Sequence, residues 1–413
     1  MKILALGGCG SMGKIAVQTT IALDPTTEIV VADRDFEAAK RFTDNFSDNV
    51  YPAQLDAFDS AALDNLMVSC DIVLSTIGPF YLFGSLVLEA AIRTKTHYLD
   101  ICDDPEPTLA MLQLHKQAEM AGITAIVGAG ASPGVSNLFA AKAIAALKTP
   151  DEVYTLWGDG GAVDEGEGDL ELRDENGLPS AATVHWLEQL SGSVKVLENG
   201  ELVPTKPLRE VSIDFPGVGS DLCHICGHPE PITLGRYYPT IRRSYNLMNM
   251  PSYIIYALKK SVKNVRDGNH DDVKAAAEKL SNMMSEGDMG VLDTARYMYH
   301  LEKDKKRTFL PSLAAIAIGT DTAGQRTTVG VHIEAEYKVG DMAHQTCIPT
   351  AIILKMISDG DILKYGVFAP EACIDPDIFF PRILPYLNIN DGFDETNFLQ
   401  VTKFYHPIPE AIS

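Results

Sequence analysis

An apolar run near the start of the chain breaks into closely spaced glycines and then becomes a helical pattern, and this arrangement constrains the fold more than any other feature. Residues 2–6 have strand length, Gly8, Gly10 and Gly13 spell G-x-G-x-x-G, and residues 14–23 carry apolar side chains at helical spacing. A strand that turns through glycines into a helix presents free N–H groups and the positive end of the helix dipole, which together bind phosphate. The segment therefore predicts a Rossmann unit with a dinucleotide at the turn.

Each glycine of the motif has a separate expected task. Gly8 permits the tight turn, Gly10 leaves no Cβ between the backbone and the pyrophosphate, and Gly13 lets the helix pack close to the strand. Ser11 and Met12 lie between the last two glycines and are predicted to contact the cofactor as well. A glycine turn without a ligand is the alternative, and the register of strand, glycines and helix speaks against it.

An acidic residue follows the second predicted strand at the distance expected for contact with the adenosine ribose. Residues 28–33 form that strand, and Asp33 lies twenty residues after Gly13. A carboxylate there bonds the ribose 2′-OH and repels a 2′-phosphate, whereas the guanidinium of Arg34 could bind the 2′-phosphate of NADP. We expect NAD, with NADP as the alternative, and we expect Asp56 to approach the adenine.

The fourth predicted strand, residues 71–76, ends where a Rossmann sheet binds its ligand. Its unbroken apolar run indicates a buried parallel strand. The strand order of this fold reverses between the first and fourth strands, and ligands lie beyond their carboxyl ends. The residues predicted to line the cofactor there are Thr76, Ile77, Gly78 and Pro79, and Phe80 is predicted to bind substrate. A plain turn from strand to helix is the alternative.

Length and composition indicate an ordinary soluble protein of more than one domain. The chain has 413 residues, of which 46% are hydrophobic, and a formal net charge of −22. Such a charge repels nucleic acid and anionic lipid, so neither is an expected partner. The sequence shows no signal-peptide pattern and no membrane span, and its seven cysteines are scattered, so we expect a cytoplasmic protein with reduced thiols.

Strand and helix patterns alternate up to about residue 150 and become longer and less regular after it. The fold class predicted from this change is α/β. Residues 1–150 are expected to form a doubly wound parallel Rossmann sheet, and residues 151–347 a second α/β domain with a mixed or antiparallel sheet. The last segment, 348–413, is expected to return to the first domain.

Six segments spread over nearly the whole chain resemble the saccharopine dehydrogenase family, including its lysine 6-dehydrogenase branch. These segments are residues 8–13, 77–80, 97–103, 130–134, 227–234 and 366–371. The resemblance implies NAD(P)-dependent hydride transfer at a carbon–nitrogen bond of an amino acid or amine, as in lysine metabolism. It also implies a second domain inserted before a returning helix, and a homodimer formed through the sheet of that domain.

One loop departs from the family pattern. In saccharopine-forming members the loop resembles Asp-Pro-Gly-Ile-Asp-His, whereas residues 132–137 of this chain are Ser-Pro-Gly-Val-Ser-Asn. Both carboxylates and the imidazole are missing. The difference counts against saccharopine as the substrate and leaves the amino acid or amine open.

Oxidation of an amine needs a general base, and the fifth predicted strand supplies candidates. Alternation along residues 96–102 places Tyr98, Asp100 and Cys102 on one face of the sheet. Asp100 is the predicted base, because partial burial at a strand end raises the pKa of a carboxyl group. Further predicted site residues are Tyr98, Cys102 and Asp103 for proton relay or amine orientation, and Asp104 for substrate binding. Core packing and helix capping are the alternatives for these four residues.

The second domain is expected to hold the substrate carboxylate. Arg236 is the preferred anchor because a guanidinium binds a carboxylate through two parallel hydrogen bonds, with Arg242 and Arg243 as rivals. His228, in the same segment, is predicted to face the substrate.

Two other functional readings receive less support from the sequence. Cys223-x-x-Cys226 suggests zinc, but no second ligand pair follows at zinc spacing, so no metal is expected. A non-catalytic redox sensor or scaffold that only binds NAD(P) is the alternative to an enzyme. The carboxylates at 100, 103 and 104 favour the enzyme, because a binding protein would not need them beside the nicotinamide.

Overall fold

The computed structural model describes residues 1–158, 172–174, 176–266, 268–335, 337–339, 341–388 and 398–406. The chain divides into two compact units. The first unit consists of Met1–Lys142 and Ile333–Leu399, and the second of Ala143–His332 together with described residues 400–406.

The first part of the chain alternates strands and helices. Its strands are β1 (Lys2–Leu6), β2 (Glu28–Asp33), β3 (Val50–Gln54), β4 (Ile72–Ser75), β5 (His97–Asp100) and β6 (Thr124–Ile126). Its helices are α1 (Ser11–Leu23), α2 (Phe36–Thr43), α3 (Ser60–Met67), α4 (Phe80–Thr94), α5 (Pro105–Gln113), α6 (His115–Ala121) and α7 (Val135–Ala145). The carboxylates of Asp35 and Asp59 accept N–H bonds in the first turns of α2 and α3 and so fix where these helices begin.

The middle of the chain is less regular. Its strands are β7 (Thr149–Gly158), β8 (Val194–Glu198), β9 (Glu201–Thr205), β10 (Glu210–Phe215), β11 (Gly219–Ile225), β12 (Arg243–Asn249), β13 (Leu313–Thr320) and β14 (Arg326–Ile333). Its helices are α8 (Ala181–Gln189), α9 (Glu230–Tyr237), α10 (Ser252–Val262), α11 (His270–Ser281) and α12 (Val291–Asp304), with a π-helical turn at Asn282–Glu286.

The last part begins with a long helix. Its elements are α13 (Met342–Asp359), β15 (Gly366–Phe368), α14 (Pro370–Cys373), α15 (Pro376–Phe379), a 3₁₀ helix at Phe380–Tyr386, and β16 (Leu399–Tyr405). Helix α13 packs on α1, where the Cys347 thiol lies 3.1 Å from the Met12 carbonyl oxygen. Strand β15 pairs in parallel with β6, so this part of the segment belongs to the sheet of the first unit.

The described strands of the first unit form a seven-stranded parallel sheet in the order β15-β6-β5-β4-β1-β2-β3. The order reverses between β1 and β4, as in a Rossmann sheet. Leu6 pairs with both Ala32 and Ser75, and Ser75 pairs with Asp100. Because the strands are parallel and in register, their carboxyl ends, and the loops that follow them, lie along one edge. The predicted doubly wound α/β fold is confirmed.

The described strands of the second unit form a nine-stranded mixed sheet, which confirms the predicted class of this domain. Its main path is β10-β11-β12-β7-β13-β14-β16, with β8 and β9 attached beside β12, and β7 and β12 are parallel. The sheet curls until its ends meet: a Cβ on Gly330 would lie 2.8 Å from the Phe215 ring, and the Thr402 hydroxyl donates to the Pro216 carbonyl at 2.9 Å. Leu156 and Leu247 pack on one face of this sheet and Met248 on the other, so each face has a separate core.

Several boundaries differ from those predicted. The sequence pattern predicts helices at residues 84–94 and 106–121, but α4 begins at Phe80 and the second stretch is broken at Leu114 into α5 and α6. Strand β16 belongs to the second sheet, so the end of the segment predicted to return to the first domain lies in the second unit. The sequence also indicates a glycine-rich acidic loop at residues 158–177, most of which lies outside the described residues. Among the described residues, no helix combines the length and apolar composition needed to cross a membrane.

Candidate active site

The glycine turn joins β1 to α1 at the edge where the strands of the first sheet end. Gly7 has a φ of 70°, which favours glycine, and its amide donates to the Ala32 carbonyl at 3.1 Å. The Gly10 amide then donates to the Gly7 carbonyl at 2.9 Å. The tight turn that was assigned to Gly8 is therefore made by Gly7, the first of two adjacent glycines.

The three motif glycines meet different surroundings. A Cβ on Gly13 would lie 2.2 Å from the Gly7 carbonyl oxygen, and one on Gly8 would lie 2.9 Å from the Ala5 Cβ. Both positions need glycine because backbone and strand side chains approach there. Gly10 and Ser11 are exposed and Met12 is half-buried, and no side chain among the described residues caps α1. The first amides of α1 therefore have no partner within the helix and suit a pyrophosphate.

Asp33 lies at the end of β2 and already accepts two hydrogen bonds. The Cys9 thiol donates to Oδ2 at 3.1 Å, and the Asp35 amide donates to Oδ1 at 3.0 Å. Burial and the nearby carboxylate of Asp33 raise the pKa of Cys9 to about 12, so the thiol keeps its proton and stays a donor. Arg34 is exposed, and within the described part of the chain its guanidinium makes no ion pair.

The other residues predicted to bind the cofactor lie in the loops after β3 and β4. The Thr76 hydroxyl donates to the carbonyls of Leu6 and Gly7 at 3.0 and 3.2 Å, so it fastens the end of β4 to the glycine turn. Ile77 is half-buried, and Gly78, Pro79 and Asp56 are exposed. Phe80, predicted to bind substrate, is instead buried in the core of the first unit, because it forms the first turn of α4.

Asp100, the predicted general base, is fully buried with a relative exposure of 0%. Tyr98 donates its hydroxyl proton to Oδ2 at 2.6 Å, and the amides of Cys102 and Gly128 donate to Oδ1 at 3.0 and 2.7 Å. Burial raises the pKa of Asp100 to about 6, although these hydrogen bonds oppose the rise. The alternation and the raised pKa agree with the prediction, but the geometry does not support a base, since both oxygens are occupied and closed to a substrate. The carboxylate joins the ends of β5 and β6.

The neighbours of Asp100 divide into two groups. Tyr98 and Cys102 are buried in the core, where burial raises the pKa of each well above its usual value, so neither has the accessibility predicted for it. Asp103 and Asp104 are half-exposed, and Asp104 precedes the first turn of α5. Of the predicted site residues on β5 and the loop after it, Asp103 and Asp104 are the ones that solvent reaches.

In the second unit, His228 lies in a buried polar cluster. Its ring stacks on Trp157 with centroids 5.5 Å apart, Nε2 lies 3.3 Å from the Gln189 amide oxygen, and Nδ1 lies 3.6 Å from Glu230. Glu230 also accepts a hydrogen bond from the Asn246 amide at 2.9 Å. An imidazole beside a buried carboxylate can hold or release a proton, and the aromatic face of Trp157 can attract a cation.

The arginines of the second unit differ in their surroundings. Arg236 is exposed in the last turn of α9, and within the described residues its guanidinium makes no ion pair. Arg243 lies 3.1 Å from Glu152, and Arg242 packs against Gly200. Cys223 and Cys226, which suggested zinc, are buried in different cores of the second unit.

Sequence reasoning missed three residues that shape these sites. Gly7 was overlooked because the adjacent Gly8 fits the motif. Cys9 has no signal in the sequence because its partner, Asp33, lies 24 residues away. Trp157 could have been noticed as one of two tryptophans in the chain, but strand β7 alone does not predict its stacking on His228.

Comparison with known proteins identifies relatives of this chain. The family model described as the saccharopine dehydrogenase NADP binding domain matches residues 3–126, and the model of the saccharopine dehydrogenase C-terminal domain matches residues 130–388. Saccharopine dehydrogenase [NADP(+), L-glutamate-forming] of Pyricularia oryzae is 34% identical over 138 residues, which are 33% of this chain and 28% of that protein. The chain therefore aligns with less than a third of that relative's length.

Two other proteins resemble the chain over nearly its whole length. Carboxyaminopropylagmatine dehydrogenase of Synechocystis is 22% identical over 411 residues, covering 93% of this chain and 97% of that protein. The structure of apo saccharopine dehydrogenase (L-Glu forming) from Saccharomyces cerevisiae has a TM-score of 0.62 and 17% identity, covering 94% and 98% of the two chains. The family models span both domains, so the chain belongs to the saccharopine dehydrogenase family, with a nicotinamide dinucleotide-binding domain at its start.

Proposed function

We propose that the protein is an NAD(P)-dependent oxidoreductase that transfers hydride at a carbon–nitrogen bond of an amino acid or amine. The observation that carries the proposal is that both family domains match the chain in succession, at residues 3–126 and 130–388. The glycine turn of the first domain can also hold a pyrophosphate. Family members named dehydrogenases support the same reaction class.

We propose NADP as the preferred cofactor, in place of the NAD expected from Asp33. Both oxygens of Asp33 already accept hydrogen bonds, and the exposed Arg34 guanidinium beside it can bind a 2′-phosphate. The description of the matching domain as NADP-binding supports this choice.

Arg34→Ala is expected to weaken NADPH binding about 30-fold, because a hydrogen-bonded charge pair contributes about 2 kcal/mol. NADH binding should change little, since NADH has no 2′-phosphate. Fluorescence titration of both cofactors measures the difference. Arg41→Ala, at a second exposed arginine of the same region, is the matched control. Equal losses for NADPH and NADH would contradict the assignment.

The reaction gives each candidate residue a task. In the oxidative direction the carbon that bears the nitrogen loses a hydride and the nitrogen loses a proton, which leaves a C=N bond. A bound nicotinamide supplies the hydride acceptor. Asp103 and Asp104 are proposed to bind the ammonium group of the substrate, because both lie in the loop after β5 and are partly exposed to solvent. His228 is proposed to exchange the proton through Nε2, which lies 3.3 Å from the Gln189 amide oxygen, a longer contact than the three hydrogen bonds that hold Asp100.

The proposed substrate is a carboxylated amine other than saccharopine. The name of the full-length relative from Synechocystis describes such a molecule. Arg236 is proposed to anchor the carboxylate through two hydrogen bonds. In the loop that departs from saccharopine-forming members, Asn137 accepts from the Gly134 amide and donates to Glu371, so its side chain is engaged in holding the loop.

A direct assay tests the function. NADP and NAD are each mixed with saccharopine, lysine, ornithine, polyamines and carboxyaminopropylagmatine, and the reduced nicotinamide absorbance is followed in both directions. Turnover of a carboxylated amine is expected. Tight NADPH binding without turnover of any compound would favour the sensor or scaffold.

His228→Gln is expected to lower kcat by at least 100-fold with NADPH affinity unchanged, because general acid–base catalysis contributes about that factor. The pH profile of kcat should also lose the part that depends on the His228 imidazole. His270→Gln, at an exposed histidine of the same unit, is the control. Unchanged kcat and pH profile would remove His228 from the mechanism.

Other features stay predictions. The homodimer, a place in lysine metabolism and the cytoplasmic location rest on the sequence and on the family resemblance.

A further inference from the structure

The Cys9 thiol joins the glycine turn to the acid at the end of β2. Cys9 lies between Gly8 and Gly10 and is partly exposed. Its thiol donates to Oδ2 of Asp33 at 3.1 Å, although 24 residues separate the two in the sequence. In a Rossmann site the turn holds the pyrophosphate and the acid holds the adenosine ribose. The contact therefore links the two parts of the chain that a dinucleotide would span.

The direction of this hydrogen bond is fixed. Burial raises the pKa of Cys9 to about 12, and the hydrogen bond to the Asp33 carboxylate adds to the rise. The thiol is therefore protonated at neutral pH and acts as the donor, whereas a carboxylate oxygen accepts. A protonated thiol is also a poor nucleophile, which favours a role for Cys9 through this contact over a role in thiol chemistry.

The glycine turn is held in place without the Cys9 side chain. The Gly7 amide donates to the Ala32 carbonyl on β2 at 3.1 Å, and the Thr76 hydroxyl donates to the Gly7 carbonyl at 3.2 Å. These bonds join the turn to the ends of β2 and β4. A thiol is a weak donor, so the loss of its hydrogen bond should change stability little. The role of the thiol therefore lies at the carboxylate that it contacts.

One hydrogen bond to Asp33 is local, and the other comes from the glycine turn. The Asp35 amide donates to Oδ1 at 3.0 Å within the loop after β2, and the Cys9 thiol donates to Oδ2. In Rossmann domains that bind NAD, this carboxylate accepts a hydrogen bond from the ribose 2′-OH. A 2′-OH would have to compete with the thiol for Oδ2. The thiol thereby makes Asp33 a weaker acceptor for the ribose.

We propose that Cys9 is a positioning residue that favours NADP over NAD by holding the Asp33 carboxylate. The thiol keeps Oδ2 from the 2′-OH of NAD, while the exposed guanidinium of Arg34 stays available to a 2′-phosphate. The inference rests on the proposed preference for NADP. It adds a second residue, far from Arg34 in the sequence, that sets this preference.

Fluorescence titration with NADPH and NADH tests the proposal. Cys9→Ala is expected to bind NADH about tenfold more tightly, because the released Oδ2 can accept from the 2′-OH. NADPH should bind more weakly, because a carboxylate that the thiol no longer holds repels the 2′-phosphate. A residue that only stabilised the turn would change both affinities in the same direction. Cys373→Ala is the matched control, since Cys373 is another partly exposed cysteine and follows β15, which four strands separate from β2.

A double-mutant cycle tests whether Cys9 acts through Asp33. In the Asp33→Ala background, Cys9→Ala should leave the ratio of the two dissociation constants unchanged, because the carboxylate that the thiol holds is absent. Cys9→Ser keeps a donor at the same position and should retain the native ratio. Equal shifts of the ratio with and without the carboxylate would contradict the proposal, as would a serine variant that behaves like the alanine variant.

Adenosine fragments confine the measurement to one end of the cofactor. Adenosine 2′,5′-bisphosphate and adenosine 5′-monophosphate differ by the 2′-phosphate, and isothermal titration calorimetry measures the binding of each without hydride transfer. Cys9→Ala should reduce the preference for the bisphosphate by about tenfold. An unchanged preference would overturn the role of the thiol.

The outcomes separate this inference from the proposed function. A native chain that binds neither cofactor, or that prefers NADH, would refute the proposed cofactor and with it the task given to Cys9. A native preference for NADPH that Cys9→Ala leaves unchanged would overturn the inference alone. Circular dichroism and thermal unfolding check the fold of each variant. A Cys9→Ala chain that fails to fold would assign the thiol to stability and would also overturn the inference.

Discussion

Gly13→Ala is expected to destabilise the first unit by about 3 kcal/mol and to abolish NADPH binding, because overpacking of this severity has no flexible neighbour to absorb it. The added Cβ would lie 2.2 Å from the Gly7 carbonyl oxygen and 2.6 Å from the Gly8 Cα. Both contacts are with backbone, so α1 must move away from β1. Urea unfolding followed by circular dichroism measures the stability, and fluorescence titration measures the cofactor.

Gly10→Ala separates the two effects. A Cβ there would meet the Gly7 carbonyl oxygen at 3.2 Å and would otherwise point into open space. We expect nearly native stability with weakened NADPH binding, because the methyl group would occupy the approach of the pyrophosphate. If Gly13→Ala kept native stability, or if Gly10→Ala kept native cofactor affinity, the geometry of the turn would be wrong.

Asp100→Ala is expected to lower the free energy of unfolding by about 4 kcal/mol, because it leaves buried donors without an acceptor. The donors are the Tyr98 hydroxyl and the amides of Cys102 and Gly128. Urea unfolding at neutral pH provides the measurement. A loss of turnover without loss of stability would instead restore the carboxylate as a general base.

Asp100→Asn is the matched control and tests the pH dependence. The pKa of Asp100 is raised from 3.8 to about 6, so the folded protein binds this proton more tightly than the unfolded chain does. The stabilisation from the bound proton is complete below about pH 4 and is lost as the pH rises to 6, by about 3 kcal/mol in all. The asparagine variant should lack this loss while keeping turnover. An unchanged pH profile of stability would refute the raised pKa.

Local patterns predicted the first unit well because each step of a Rossmann fold has a sequence signal. The glycine spacing, the acid after β2 and the apolar run of β4 all appear in short segments, and parallel order follows from them. Alternation also placed Tyr98 and Asp100 on one face. Alternation could not predict that Asp100 is fully buried, because its carboxylate accepts from the Gly128 amide, which lies 28 residues later in the sequence.

The second unit was harder to predict because its defining contacts join distant residues. Phe215 packs against Gly330, and no short sequence pattern around either residue predicts that the two ends of the sheet meet. The end of helix α12 is a second example, because the Asp304 carboxylate accepts from the Ser252 amide at 2.6 Å although the two residues lie 52 positions apart in the sequence.

The first unit is built from two separated stretches of chain, and this has a consequence during synthesis on the ribosome. Strand β6 emerges long before β15, its neighbour in the sheet, and α1 emerges more than 300 residues before α13 covers it. Until then the nascent Rossmann sheet has an open edge and a bare apolar face, both of which invite aggregation. A fragment that stops near residue 142 should therefore need protection by a chaperone, whereas the full-length chain should no longer need it.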